Sequence, residues 1–331
     1  MPANAPSVKS TLVCLVSNPL SQNAVLFSMP LRSSILKVLA YFDLFNYPVS
    51  GEEILFFLDR EVPVSELNEN LEVLTAEKHL FRLGTFYSLR DDPQAAERRI
   101  KGNRHATELL VIADRVSRFL YQFPYVRGVG ISGSLSKHYA DENADIDYFI
   151  ITRSNRLWIA RSLMHLFKKW SFLTGRQHWY CMNYYVDEEA LEIEEKNIFT
   201  ATELITLLPA CGNGGLIKFF DANDWATDYF PHYRQRQREA SVYPPPSWIK
   251  RALEKLFDNR AGDRLDDFLR RLTARRWKHK EDRGDLNDKG HKMSLKTSKH
   301  FSRPNPEVFQ QKILNVYSSR LKEFEEKWDV N

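Results

Sequence analysis

The 331-residue chain is 43% hydrophobic and 27% charged, with a formal net charge of +4. That is the balance of an ordinary globular protein with a substantial core and room for two or three domains. A charge this mild is no signature of a nucleic-acid binder, so only local clusters of Lys and Arg can carry that argument. Cys14, Cys181 and Cys211 are odd in number and widely spaced, without the pairing that a disulfide framework or a zinc site needs. The run Leu12 to Val16 is too short for a secretory signal, and no stretch approaches the ~20 apolar residues of a membrane span. A reducing cytoplasm is therefore the expected compartment, with no membrane partner.

Residues 1–31 mix Pro, Asn, Ser and Gln without a sustained period and read as a poorly ordered extension. Residues 32–92 read as three helices and a hairpin. Ile35, Leu36, Leu39 and Phe42 stripe the first helix until Asn46-Tyr47-Pro48 stops it. Ser50 with Glu53 makes a capping box for the second, and Leu67, Leu71 and Leu74 stripe the third. Phe81 to Leu89 then turns at Gly84 as a small hairpin. Together these resemble a winged helix. A groove-reading helix should carry Arg, Lys, Asn or Gln, whereas the third helix here exposes Glu66, Glu69, Glu72 and Glu77. The module is expected to serve packing or partner recognition, and sequence-specific DNA is an unlikely partner.

Residues 93–243 should form the core. Asp92-Pro93 opens a long helix to about Gln122, with Leu109, Ile112, Ala113, Val116 and Leu120 inward and Arg98, Arg99 and Arg104 outward. Those arginines are either a solvated face or a reach toward phosphates of the next elements. Val126, Val129 and Ile131 then form a short apolar strand that runs into Gly133-Ser134, and after a spacer Asp145-Ile146-Asp147 opens a second strand through Ile151. Period 2 puts both aspartates on one face. Two carboxylates at the start of a buried strand are costly unless a positive charge sits between them. An oxygen-only pair suits Mg²⁺ or Mn²⁺, which complete their shells with water and substrate phosphates. Gly133 lets backbone approach a ligand, and a helix starting near Ser134 would offer an anion site.

Gly-Ser, a spacer, then Asp-x-Asp in an apolar strand resembles the nucleotidyltransferase superfamily typified by DNA polymerase beta and the antibiotic nucleotidyltransferases, over about thirty residues. The layout of an FDLFNYP-type helical start, the GSLS/DID core and an N-x-W segment, Asn223 to Trp225, also looks like uncharacterised bacterial nucleotidyltransferase-domain proteins. The resemblance implies an α+β fold with a small mixed-sheet nucleotidyltransferase core. It implies transfer of a nucleoside monophosphate from an NTP to an acceptor, whether small molecule, protein or RNA. Asp145 and Asp147 would hold the metal, and Gly133, Ser134, Ser136 and Lys137 the phosphates. Lys137 and His138 are equally believable as surface.

Further on, Ala160, Leu163, Phe167 and Trp170 stripe a helix, and His178 to Val186 reads as a third strand with Cys181, Asn183 and Tyr185 on one face. The superfamily usually places a third acidic residue on that strand. Asn183 stands there instead, and Asn supplies neither charge nor general base. Asp187, further along, either substitutes or caps the next segment. The departure keeps open a non-catalytic nucleotide sensor with a degenerate domain. The aromatic-rich stretch from Trp225 to Tyr233 is either core or a stacking platform.

Residues 244–331 open on Pro244-Pro245-Pro246, a stiff linker, and continue with helices. From Arg270 to Arg303 there are twelve Lys or Arg against four Asp or Glu. Such a segment has too little apolar content to offset ordering entropy, and is expected to be mobile until a polyanion covers it. A nucleic-acid-binding protein is the corresponding rival function. A final helix from Pro306 to Trp328 carries Ile313, Val316, Tyr317 and Phe324 as a docking stripe.

Overall fold

A computed structural model describes residues 31–212, 214–235, 244–286, 295–304 and 307–328. The expected N-terminal extension, apart from Leu31, lies outside them. The architecture is mixed α/β with two sheets. Helix α1 (Leu31–Asp43) is followed by β1 (Val49–Ser50), α2 (Gly51–Phe56), α3 (Val64–Ala76) and the hairpin β2 (Phe81–Leu83) to β3 (Phe86–Ser88). The three strands form an antiparallel sheet of order β1-β3-β2. The capping box forms as expected: Glu53 N donates to Ser50 Oγ, and Ser50 N donates to the Glu53 carboxylate.

Helix α4 (Pro93–Tyr121), capped by Asp92, leads into β4 (Val126–Ser132). After β5 (Asp147–Thr152) come α5 (Leu157–Ser171), β6 (Cys181–Asp187), α6 (Ile198–Thr206), β7 (Leu208–Gly212) and α7 (Gly215–Ala222). The last part supplies α8 (Trp248–Phe257), α9 (Arg260–Asp282), β8 (Leu295–Thr297), β9 (Phe301–Pro304) and α10 (Glu307–Trp328). The second sheet has order β7-β4-β5-β6-β9-β8; β5 and β6 run parallel and every other neighbour is antiparallel.

Alternation along β5 splits the core. Tyr148 and Ile150 face α4 and α5, where Ala113, Val116, Trp158 and Met164 are buried. Phe149 and Ile151 face the other way and join one continuous core with Phe219 of α7, the N-terminal helices and α10. Residues 32–92 therefore share their core with this sheet, and do not bury their apolar faces separately.

Two readings of charged residues are corrected here. Arg99 does not face outward: it is 4% exposed, donates to the Glu53 carboxylate at 2.7 Å, and stacks 3.7 Å over the Tyr47 ring. Its helical position shares a face with Ala106 and Leu109, and the carboxylate of α2 makes burial of the charge tolerable. Nor is the basic stretch, expected to lack order until a polyanion covers it, without regular structure where it is described. Its first part lies in α9, and its last part pairs with β6 as β9. Arg303 there makes a bidentate ion pair with Glu195 and donates to Tyr184 Oη at 2.9 Å. Ordering comes from paired charge and backbone ladder, which composition does not register. Residues 287–294 of the segment lie outside the described part.

Helix α9 is tied to α5 by Asp266, which is buried and accepts from Ile159 N at 2.9 Å in the first turn of α5. Burial pushes this carboxyl up to about 6. Its folded value lies above the unfolded one, so its stabilising contribution is complete below pH ~4 and is lost as pH rises through about 6. Replacing Asp266 by Asn should make the variant gain on the wild type by roughly 3 kcal/mol between pH 4 and 7. Paired denaturant melts across that window check it, and a constant difference would refute it.

Candidate functional site

The site is built where β4 ends and β5 begins. Ser132 pairs in register with Asp147, so the turn after β4 comes back against the first carboxylate of β5. Gly133 makes that turn at a φ of +72°, and a Cβ placed on it would lie 2.7 Å from Asp147 Oδ2. Both the left-handed backbone and the close approach require glycine. The helical step expected after Ser134 is one 3₁₀ turn, Leu135–Lys137, ending at His138 with a φ of +57°. A single turn carries no useful helix dipole, so that part of the expected anion site is withdrawn.

The remaining motif residues point in different directions. Ser134 is exposed. Ser136 is buried, and its hydroxyl donates to Gly133 O at 2.8 Å, bracing the turn from within. Lys137 Nζ donates to Gly133 O at 3.2 Å and pairs with Glu203 Oε1 of α6 at 2.8 Å. Tyr47 of the N-terminal module supports the same turn by donating to Lys137 O at 2.8 Å.

Each aspartate of the pair meets a neutral or switchable neighbour. Asp145 Oδ1 lies 2.6 Å from His178 Nδ1, and Asp147 Oδ1 accepts from Asn183 Nδ2 at 2.6 Å. Asn183 thus stands beside Asp147, as the spacing predicts, and acts as a donor to it. Cys181 Sγ donates to Asn183 Oδ1 at 3.2 Å, which fixes the amide with its nitrogen toward the carboxylate. Burial and the Asp147 charge push that thiol up to about 12, so it stays a neutral donor.

The expected facing of β6 is corrected by a bulge. Tyr148 pairs with Met182 but Phe149 with Tyr184, so Asn183 is the extra residue. One inserted residue reverses the alternation beyond it. Tyr185 accordingly packs with Met182 on the α4/α5 side, while Tyr184 lies with Phe149 on the other. Asp187 does not complete the site. It pairs with Thr152 at the far end of β5, roughly 17 Å along the strand at about 3.3 Å per residue. There it accepts from Asn155 N, Glu189 N and His300 Nδ1, ordering the loop after β6.

Asp147, Gly133 and Asn183 open onto a cleft of about 340 Å³ with Phe149, Leu204 and Phe219 as its floor. Glu203 and Thr200 of α6 form one wall; Glu195, Arg303 of β9 and Gln310 of α10 form another. A larger cavity of about 460 Å³, between α1, α6 and α10, contains none of the motif residues. Asp147 and the glycine turn make the smaller one the functional candidate. Glu203, Glu195, His178 and Arg303 escaped sequence reading because nothing local marks them. The aromatic stretch resolves as core: Asn223 accepts from Ile193 N and Trp225 Nε1 and donates to Leu191 O, and Phe230 is buried.

Comparison with family models, with curated proteins and with solved structures finds no match to this chain. The site must therefore be read from its own chemistry. No cluster of three or more His, Cys, Asp or Glu placed to hold a metal is present among the described residues. Asp147 lines the cleft, while Asp145, two residues before it and against His178, is not among the lining residues; so sparse a donor set fits an ion that arrives with a phosphate ligand and keeps water in its shell. It does not fit a cation caged by protein alone. No helix among the described residues is long and apolar enough to cross a membrane.

Proposed function

We propose that the protein is a metal-dependent nucleotidyltransferase that moves a nucleoside monophosphate from an NTP to an acceptor, releasing pyrophosphate. The observation that carries this reading is the approach of Gly133 to Asp147. A residue with any side chain there would meet the carboxylate, so turn backbone and Asp147 are set directly side by side on the cleft, where both can approach a polyanion bridged by a cation. Asp145 and Asp147 would hold Mg²⁺ or Mn²⁺, which supplies neutralisation of charge on the triphosphate. The chain's own part is positional. The β4 turn sets backbone beside Asp147, Lys137 would reach phosphate from its place on Gly133 O behind the cleft wall, and the apolar floor with polar walls orients the acceptor and limits water.

One observation favours a second reading. Asn183 donates to Asp147 where a third carboxylate would otherwise stand, which suits a nucleotide sensor without turnover. The two readings separate on incubation of the whole protein with Mg²⁺ or Mn²⁺ and each of the four α-labelled NTPs, alone and with cell extract. Transfer of label with pyrophosphate release is the expected result. Metal-dependent binding without release would favour the sensor, and absence of metal-dependent binding would end both.

A further inference from the structure

Glu203 has no role in the sequence motif, yet it faces the same cleft as Asp147 and Gly133. Its side chain is one-third exposed and pairs with Lys137, whose side chain is 15% exposed and whose ammonium donates to Gly133 O. Lys137 is thus a cation in direct contact with the turn, and in the free protein it is already engaged. A third cleft carboxylate beside Asp147 and Glu203, that of Glu195, is held between Arg303 and Lys296, and Arg303 is itself buried.

We infer that Glu203 gates nucleotide entry: it holds the Lys137 ammonium in the free protein and yields it to the phosphates of the incoming nucleotide. The inference deepens the nucleotidyl-transfer reading and rests on it. A triphosphate offers several charged oxygens where Glu203 offers one carboxylate, so it can displace Glu203 from Lys137. The exchange opposes binding because the Glu203–Lys137 ion pair must break before the ammonium can turn to the phosphates. A ligand with a single weak charge cannot drive the exchange, so the pair also selects for polyphosphates. Glu203 acts through Lys137 and is a positioning residue. Its neighbour Thr202 anchors that turn of α6 by donating to Ile198 O.

The test measures dissociation constants for each of the four Mg·NTPs, with the unliganded melting temperature as the control for folding. Glu203→Gln keeps the shape and removes the charge, and should tighten the bound nucleotide roughly five- to tenfold. Glu203→Asp should stay near the wild type. Lys137→Met should weaken binding, and the double variant Glu203→Gln with Lys137→Met should match Lys137→Met alone, because the gate has nothing left to hold. If Glu203→Gln binds no tighter while the wild type does bind, the gate is refuted and the nucleotide site itself stands. Tightening that persists in the Lys137→Met background would show plain repulsion and refute it too. A wild type that binds none of the four overturns gate and function together.

Discussion

Asp147→Asn should abolish nucleotide transfer, by three orders of magnitude or more, a loss of about 4 kcal/mol in transition-state stabilisation. The variant should nonetheless fold. Asn has the same shape, can still accept from Asn183 Nδ2, and opens no cavity, since Asp147 stands at the cleft mouth. The loss should also be visible without turnover. A wild type at a nucleotide concentration a hundredfold above its Kd gains about 2.7 kcal/mol of stability by linkage, and the variant should gain almost none. Asp145→Asn should act in the same direction. Mg²⁺ without nucleotide should shift the melting temperature little, because His178 and Asn183 already contact the two carboxylates. Undiminished Mg·NTP stabilisation in Asp147→Asn would remove the carboxylate pair from the mechanism.

Removing Glu195 should cost more stability than any other single change at the cleft. Arg303 is only 6% exposed in its side chain and depends on Glu195 for its charge partner. Lys296 of β8 uses the same carboxylate at 3.3 Å. Glu195→Ala leaves the guanidinium buried without its anion, a loss of roughly 3–5 kcal/mol. Replacing both, as Glu195→Leu with Arg303→Met, should recover most of it, because an apolar pair needs no solvation. Denaturant melts of the three proteins decide the matter, and a single variant no less stable than the double would refute it. The pH sense is also fixed. Hydrogen bonding to Arg303 holds the Glu195 carboxyl below its usual range. The stability it confers is therefore present above the unfolded value near 4.5 and is lost as pH falls through the depressed one.

The strand, turn and strand around Asp147 were legible because alternation, a glycine and an acidic pair are all local signals. The capping box and the long α4 were legible for the same reason. Three features were not. The bulge at Asn183 adds one residue without changing composition, so period 2 assigned Tyr185 to the wrong face. Arg99 reads as outward on any hydropathy scale, and only Glu53, 46 residues away, explains its burial. The order of β8 and β9 depends on Glu195, which lies 108 residues before Arg303. Each of these is a long-range pairing of charge or register, and local pattern cannot carry it. The family resemblance rests on the motif alone and stays a proposal.

The pairing of β6 with β9 bears on how this chain reaches its native state. Asp187 N donates to His300 O, and His300 Nδ1 meets the Asp187 carboxylate, closing the end of β6 onto a segment 113 residues downstream. During synthesis, β6 with its Tyr184, Tyr185 and Val186 must wait while α6, β7, α7, α8, α9 and β8 are made, with one backbone edge unsatisfied. An apolar open edge of that kind is the usual starting point for intermolecular strand addition. Truncations that stop at the proline-rich stretch would make the wait permanent, so fragments ending there should aggregate even though every residue of the acidic motif is present.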